Sequence, residues 1–329
     1  MITAKDIYAA VQRREEASRH FRRWLGASVI GHPCTRHVAL SFRSAFDPAF
    51  SGKILRVFEN GLKAEDRIVA DLDAAGMKIH SRQMMIDLDG GNGHAGATLD
   101  GVAEEDGQFY LLEMKTANAK SWAELARDGV QKAKPQHYAQ MQFGMLLTQL
   151  DNALYVAENK DTNELHIERV AFHKPLADRL AELALRIIAD APGERCNERP
   201  DWWECKMCAA APVCKGATFP QCHCLTCCHA TAAPGATWAC AKNENKPIPE
   251  EALCDGCTHH VFLPWIVNLP VVQYGDHCVC YGTPTGARIW NCPEKEIPPV
   301  DDGPVPVILP SADLENRTWG EVVAQEKAK

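Results

Sequence analysis

The sequence contains no apolar run of about 18 residues, which excludes a helix long enough to span a membrane. The N-terminal segment lacks an uninterrupted apolar stretch and carries acidic residues, so we expect no signal peptide and a cytosolic location. Internal repeats and low-complexity tracts are also lacking. Hydrophobic residues make up 46% and charged residues 24% of the 329 residues, which is ordinary for a soluble globular protein.

Cysteine is absent between Cys34 and Cys196, and the other fourteen of the fifteen cysteines fall between Cys196 and Cys292. In a reducing compartment, so many cysteines are more often metal ligands than disulfides. The uneven distribution therefore predicts metal binding in the C-terminal half.

Lys and Arg are fewer than Asp and Glu, 35 against 43, so the net charge is −8. Residues 1–56 are the exception, with ten Lys and Arg against four Asp and Glu, which is +6 locally. A basic N-terminal surface is suited to a phosphate backbone. A solvated helix surface explains the same pattern equally well.

The hydrophobic pattern predicts alternating helices and strands. Helices are predicted for residues 4–25, with Ile7, Val11, Phe21, Trp24 and Leu25 as apolar positions, and for residues 54–75, which end at Gly76. Further helices are predicted after a capping box of Ser121 and Glu124, from Pro135 to about Leu150, and over 174–191. Strands are predicted at 94–104, 108–117, 153–159 and 164–171.

This order predicts an α/β fold with a mixed central sheet flanked by helices over residues 1–215. Residues 216–264 are rich in cysteine and poor in apolar periodicity, so a metal is expected to replace a core in a small module there. Residues 265–329 contain two β-like runs and a proline-rich stretch that we expect to be extended.

The strand 108–117 brings an acid and a base to one face. Alternation places Glu113 and Lys115 on the same side, and Asp100 closes the preceding strand and is expected beside them. Two carboxylates held close together favour a cation between them. Carboxylate oxygens are ligands of Mg²⁺, which can polarise a phosphodiester and activate water.

Asp100 followed by Glu113-x-Lys115 resembles the motif of PD-(D/E)XK nucleases. Upstream, FENGLKAED resembles the first motif of that superfamily and contains Glu65. Downstream, PQHYAQMQFGM resembles the glutamine motif of RecB-like and phage recombination exonucleases and contains Gln140, with Gln136 and Gly144 on the same helix face. The resemblance covers residues 55–172.

The resemblance implies a role for each matching residue. Glu65, Asp100, Glu113 and the backbone carbonyl of Met114 would bind Mg²⁺ or Mn²⁺. Lys115 would orient or deprotonate the attacking water, and Gln140 would position Lys115 or the DNA strand. Alone, the Glu-x-Lys doublet would fit a solvent-facing pair, and Gln140 a helix-surface amide.

A first set of cysteines follows this region, as Cys205-x2-Cys208-x5-Cys214, while Cys34 precedes it. The combination resembles the iron–sulfur staple of AddB-type and CRISPR-associated RecB-like nucleases, which implies a 4Fe–4S cluster on these four thiolates. A tetrahedral zinc site is an alternative. Cys34 as a buried apolar residue is another.

A second set fits a structural zinc site, and its preferred ligands are Cys224, Cys227, Cys240 and Cys257. Similar modules follow nuclease domains in some phage proteins. The spare candidates are Cys222, Cys228, Cys254, His229 and His260. Cys278, Cys280 and Cys292 are interpreted as ordinary strand residues.

Together, these features predict a metal-dependent DNA exonuclease acting on DNA ends or single strands in phage or prophage recombination, replication or repair. A single-strand annealing protein or another recombination protein is the expected partner. Two alternatives remain open: a non-catalytic DNA-binding or scaffold protein on a nuclease fold, and a site-specific endonuclease.

Overall fold

The computed structural model describes residues 2–17, 24–48, 50–199, 201–216, 218–293 and 306–327. The chain is a mixed α/β protein that divides into two compact units. The first unit comprises the described residues of Met1–His20, Trp24–Pro33 and Ala49–Arg186. The second includes those of Cys34–Pro48 and Ile187–Lys329. The boundaries after residues 215 and 264 remain predictions.

The helices of the described residues are α1 (Ala4–Ala17), α2 (Ala27–Ile30), α3 (Thr35–Phe42), α4 (Gly52–Ala74), α5 (Ala119–Ala133), α6 (Pro135–Thr148), α7 (Lys174–Ile188), α8 (Ala211–Cys214), α9 (Ser311–Leu314) and α10 (Trp319–Lys327). Short 3-10 helices occur at Cys205–Met207, Cys224–Thr226, Ala241–Asn243 and Glu250–Ala252.

The strands are β1 (Leu25–Gly26), β2 (Lys78–His80), β3 (Met85–Asp87), β4 (Ala95–Thr98), β5 (Gly101–Glu105), β6 (Gln108–Ala117), β7 (Asn152–Asn159), β8 (Leu165–Ala171), β9 (Ala230–Ala233), β10 (Thr237–Cys240), β11 (Lys246–Pro247), β12 (Val271–Tyr274), β13 (Val279–Gly282), β14 (Arg288–Asn291) and β15 (Val307–Leu309).

The first unit is built on a five-stranded sheet of order β2-β5-β6-β7-β8. β6 and β7 are parallel, and the other neighbours are antiparallel, so the sheet is mixed as predicted. β7 is buried from Ala153 to Asn159, because it lies between two strands and under helices on both faces. A small sheet of order β1-β4-β3 accompanies the large one.

Helix α4 covers one face of the large sheet. Its buried residues Ile68 and Leu72 pack with Tyr110, Leu112 and Met114 of β6 in one hydrophobic cluster. The side chain of Ser51 caps the helix by accepting from the Ile54 backbone N–H over 3.4 Å. Gly76, just past the helix end, has a φ of 97°, so it takes the left-handed conformation that glycine favours.

Helix α6 lies against the opposite face of β6. At Gly144, an added Cβ would come within 2.7 Å of Leu111 Cδ2, so glycine allows this close approach without moving the leucine side chain. Asp106 and Gly107 both have positive φ and form the two-residue turn between β5 and β6. These two features set the position of the strand that carries Glu113.

Several predicted boundaries are wrong. The helix predicted for residues 4–25 is shorter in the structure, where α1 ends at Ala17 and none of its residues is buried. Leu25 lies in strand β1 instead. Residues 18–23 lie outside the described residues. Ser121 is not the cap of α5, because Asn118 accepts from the Ser121 backbone N–H and the helix begins at Ala119. The predicted strand 94–104 is two strands, β4 and β5.

The second unit has a hydrophobic core of its own. Phe219, Val261 and Phe262 pack with Tyr281, Ile289 and residues of α9 and α10 in one cluster. Residues on both sides of position 264 therefore share a hydrophobic core. The metal predicted for residues 216–264 stays a prediction. Two sheets belong to this unit, of order β11-β10-β9 and β12-β13-β14-β15.

Candidate active site and cysteine clusters

Glu113 and Lys115 project from the same face of β6, as strand alternation predicted. Glu113 is 4% exposed, and the Lys115 side chain is 28% exposed. The Lys115 ammonium forms an ion pair with Glu113 Oε1. A buried carboxylate of this kind is stable only with a partner, so removing either group leaves the other uncompensated.

Asp100 lies in the connection between β4 and β5, beside β6. Its Oδ2 accepts from the Met114 backbone N–H over 2.8 Å. This bond anchors the carboxylate between the positions of Glu113 and Lys115. The predicted juxtaposition across the hairpin is therefore present in the structure.

Glu65 reaches the same site from α4, where it is half-buried. Burial raises the pKa of Glu65, and the negative charge of Asp100 raises it further, while Lys115 opposes the shift. The effect of these charges on Glu65 indicates that α4 brings a third carboxyl group close to Asp100 and Glu113.

Gln140 joins helix α6 to the site. Its Nε2 donates to Glu113 Oε2 over 3.0 Å, so the two Glu113 oxygens have different partners. Gln136, one turn earlier, instead donates to the Ser28 backbone carbonyl over 2.7 Å. We call Glu65, Asp100, Glu113, Lys115 and Gln140 the acid–lysine site.

Electrostatics at this site favour a bound cation. Burial raises the pKa of Glu113 to about 7, with Asp100 and Glu65 adding to the rise and Lys115 opposing it. Burial disfavours the charge on Lys115, yet Glu113 and Asp100 outweigh burial and raise the pKa of that ammonium. Three carboxyl groups facing one lysine leave negative charge that a divalent cation would offset.

Sequence reasoning missed two residues next to this site. His137 Nδ1 lies 2.9 Å from the Tyr155 hydroxyl oxygen, and Tyr155 is the register partner of Glu113 on the adjacent strand β7. His137 lies one helical turn before Gln140, so the helical spacing offered a signal. Tyr155 offered none, because the parallel register of β6 and β7 is not visible in the sequence.

The first cysteine group, Cys34, Cys205, Cys208 and Cys214, gathers in the second unit. Cys34 immediately precedes α3, Cys205 begins a 3-10 helix, and Cys214 ends α8. Burial raises the pKa of Cys208, and the Cys34, Cys214 and Cys205 thiols each contribute to the rise. The four predicted thiols are therefore close enough to influence one another.

Cys196 was not among the predicted ligands, although it belongs to this neighbourhood. Burial raises its pKa to about 12, and contacts with the Cys34 and Cys205 thiols add to the rise. The segment before Cys196 is held against α3 by reciprocal bonds: Thr35 Oγ1 accepts from the Glu194 N–H over 2.7 Å, and Glu194 O accepts from the Arg36 N–H over 2.9 Å.

Basic side chains surround the same thiols. The guanidinium groups of Arg36 and Arg195 interact electrostatically with Cys214. His37 Nδ1 lies 3.4 Å from Cys208 Sγ. The first cysteine group therefore has basic side chains next to it.

The second cysteine group, Cys224, Cys227, Cys240 and Cys257, also gathers. Burial raises the pKa of Cys224 to about 11, and the other three thiols of the group add to the rise. Among the spare candidates, Cys228 lies beside Cys227. His260 is buried and its Nε2 lies 3.0 Å from the His223 carbonyl oxygen, so it packs in the core.

Across the residues that the structure describes, no three His, Cys, Asp or Glu side chains take the spacing of a metal-ligand set. Likewise, none of the described helices is long and apolar enough to cross a membrane.

The interpretation of Cys278 and Cys292 as ordinary strand residues is wrong. They form a disulfide next to the antiparallel pair β13 and β14, where Val279 faces Asn291. Their Cα atoms are 4.5 Å apart. The general expectation that the cysteines are not disulfides therefore fails for this pair, because antiparallel pairing brings two thiols face to face.

Scanning the sequence against models of protein families gives no match, and no curated protein matches the chain either. Among solved structures, the chain is similar to LHK-Exo, an alkaline exonuclease from Laribacter hongkongensis, with a TM-score of 0.38 and 15% identity over 57% of this chain and 92% of that one. The structure of LHK-Exo in complex with dAMP gives the same values. The structure of SSO0001 gives a TM-score of 0.40 and 13% identity over 65% of this chain and 96% of that one.

Proposed function

We propose that this chain is a divalent-metal-dependent DNA exonuclease with a PD-(D/E)XK core. The observation that carries the proposal is the acid–lysine site. There Glu113 accepts a hydrogen bond from Gln140 and forms an ion pair with Lys115. Asp100 accepts a hydrogen bond from the backbone N–H of Met114, the residue between them. Paired carboxylates beside a lysine, on adjacent strands of a mixed sheet, suit metal-assisted hydrolysis of a phosphodiester.

The donor set fits Mg²⁺ or Mn²⁺, because hard oxygen ligands dominate it. Asp100 and Glu113 would hold the ion with the Met114 backbone carbonyl, and Glu65 would bind directly or through water. A bound ion of this kind polarises the phosphate and lowers the pKa of a coordinated water. The raised pKa values of Glu65 and Glu113 support this assignment, since burial and the neighbouring carboxyl groups disfavour the charge of both in the protein alone.

Lys115 has two tasks in the proposed reaction. Its ammonium offsets negative charge on the scissile phosphate, and it orients the attacking water toward phosphorus. Gln140 orients the Glu113 carboxylate through its 3.0 Å hydrogen bond and would thereby help to position a bound ion. An in-line attack needs this geometry before the substrate arrives.

The substrate we propose is a DNA end or a single strand, guided by the basic N-terminal segment. On α1, Arg14 is one of its exposed cations, with a side chain 69% exposed, and it pairs with Glu59 of α4 over 3.7 Å. A role in phage or prophage recombination, replication or repair, with a single-strand annealing protein as partner, belongs to the same proposal.

The first cysteine group is proposed to bind a 4Fe–4S cluster that ties Cys34 to the Cys205–Cys214 segment. Thiolate ligands suit iron–sulfur clusters and zinc alike. Arg36 and Arg195 place positive charge near Cys214 and so support a cluster, because an iron–sulfur cluster held by thiolates is negatively charged. The second cysteine group is proposed to bind structural zinc.

One experiment tests the nuclease proposal directly. Linear and covalently closed double-stranded DNA are incubated with the protein, with and without Mg²⁺. An exonuclease degrades only the linear DNA, and only with the ion. Cleavage of closed DNA would identify an endonuclease instead, and binding without cleavage would identify a non-catalytic DNA-binding protein.

A matched pair of variants assigns the activity to the site. Glu113→Ala should abolish cleavage, whereas Glu105→Ala should not. Glu105 is a carboxylate at the opposite end of the same hairpin, paired with Arg169 on the sheet surface. Equal activity in the two variants would refute the assignment.

A further inference from the structure

Tyr155 and His137 form a hydrogen-bonded pair at the edge of the acid–lysine site. Tyr155 faces Glu113 across the parallel strands, so both side chains lie on the same side of the sheet. Helix α6 therefore contacts this face twice. Gln140 donates to Glu113 over 3.0 Å, and His137 Nδ1 lies 2.9 Å from the Tyr155 hydroxyl oxygen.

Tyr155 is buried and His137 is half-buried, and the charge of Lys115 acts on both side chains. Tyr155 is 1% exposed. Burial raises the pKa of Tyr155, and the charge of Lys115 acts against that rise. Burial lowers the pKa of His137 to about 4, and the charges of Lys115 and Lys134 lower it further. Near neutral pH, His137 is therefore an uncharged ring with one nitrogen that accepts and one that donates.

The positive charge of Lys115 determines how the hydroxyl of Tyr155 is oriented. A phenol has one hydrogen to donate and lone pairs that accept. Electrostatic energy is lowest when the hydrogen points to His137 Nδ1 and a lone pair points to the ammonium. In this arrangement His137 carries its own proton on Nε2.

We propose that Tyr155 and His137 are positioning residues, which hold the Lys115 ammonium in place when Glu113 binds a metal ion. The inference rests on the proposed nuclease function. In the structure, Lys115 pairs with the same Glu113 that would be a metal ligand. When that carboxylate oxygen binds an ion, the flexible lysine side chain needs another acceptor. The Tyr155 hydroxyl, held by His137, can serve, because Tyr155 is the register partner of Glu113 and the charge of Lys115 acts on it.

The kinetic test uses Tyr155→Phe, which removes only the hydroxyl. We expect kcat for linear DNA with Mg²⁺ to fall roughly tenfold, as loss of one hydrogen bond to a charged group implies, while KM changes little. Tyr110→Phe is the matched control, because its hydroxyl donates to Gln108 over 2.8 Å on the opposite face of the same sheet. An unchanged kcat in Tyr155→Phe would overturn the proposal.

Substitutions of His137 test the second member of the pair. His137→Asn places a side-chain oxygen where Nδ1 accepts and should keep most of kcat, whereas His137→Leu should resemble Tyr155→Phe. The double variant Tyr155→Phe, His137→Leu should be no slower than the slower single variant, since both changes remove one chain of contacts. Additive losses would overturn the proposal. Melting temperatures identify any variant that fails to fold.

A measurement without catalysis separates this inference from the nuclease proposal. In protein labelled with ¹⁵N-histidine, NMR reports which ring nitrogen of His137 carries the proton. We expect the proton on Nε2, and a shift of the Nδ1 resonance in Tyr155→Phe and in Lys115→Ala. A proton on Nδ1 would overturn the proposed orientation even in an active nuclease. An inactive wild-type protein with the expected spectrum would refute the nuclease function alone.

Discussion

Gln140 Nε2 donates to Glu113 Oε2 over 3.0 Å, which ties the middle of α6 to the central strand of the sheet. Because the other Glu113 oxygen pairs with Lys115, this one bond fixes the rotation of the carboxylate. A metal ligand works best when its orientation is set by such an outer contact. Gln140 is thus placed to control the orientation of Glu113 in the acid–lysine site.

Replacing Gln140 with Ala should therefore reduce turnover more than binding. The expected fall in kcat is roughly 10- to 100-fold, which is common for loss of an outer contact to a metal ligand. Cleavage kinetics at saturating DNA and a separate DNA-binding titration provide the two values. If affinity falls while turnover at saturating DNA is intact, Gln140 belongs to the DNA-binding surface instead.

Asp100, Glu113 and Lys115 should behave as one catalytic unit. Each single replacement by Ala should nearly abolish cleavage and leave DNA affinity in place, because the groups act on the same ion and water. Double replacements should be no worse than single ones, since the losses of groups that act together do not add. Wild-type cleavage by the Glu113→Ala variant would contradict the site.

The raised pKa of Glu113 predicts a pH-dependent stability of the metal-free protein. Burial moves this pKa from 4.5 to about 7, so the folded state holds a proton that the unfolded state releases between those values. The stabilising contribution is complete below pH 4.5 and is lost as the pH rises through 7. Melting temperatures in a chelator should show wild type losing stability relative to Glu113→Gln between pH 5 and pH 8.

Added Mg²⁺ should reverse that loss at pH 8, because the ion binds the carboxylate of the folded state. Glu113→Gln should gain less from the ion. Parallel melting curves for the two proteins across the pH range would show that Glu113 titrates as it does in the unfolded chain.

The first cysteine group should hold iron and sulfide. Protein purified without oxygen should be brown and contain about four iron and four sulfide ions per chain. Cys34→Ser should remove the colour and destabilise the protein about as much as Cys208→Ser, since loss of a structural thiolate unfolds the element that it holds.

Cys280→Ala is the control for this prediction, because it removes a buried thiol that clusters with Trp290 and the Cys278–Cys292 disulfide. It should keep the colour. Colourless protein with two bound zinc ions would identify both cysteine groups as zinc sites, with no consequence for the nuclease proposal.

The local features of the first unit were visible in the sequence. Alternation in 108–117 placed Glu113 and Lys115 on one face, and the position of Asp100 at the end of the preceding strand placed it beside them. Both features depend only on neighbours along the chain. Where local signals competed, prediction failed. Asn118 took the capping position expected for Ser121, and α1 buried none of its apolar residues.

Only the tertiary structure decided which distant residues meet. Tyr155 is beside Glu113 because β6 and β7 pair in parallel in one particular register, and a parallel register leaves no mark on the sequence of either strand. Cys196 lies with Cys34 because the Glu194 backbone bonds to the start of α3. The sequence by itself determined the chemical groups and their local faces, whereas the packing of strands and helices determined their partners, since that packing depends on contacts between residues far apart in the chain.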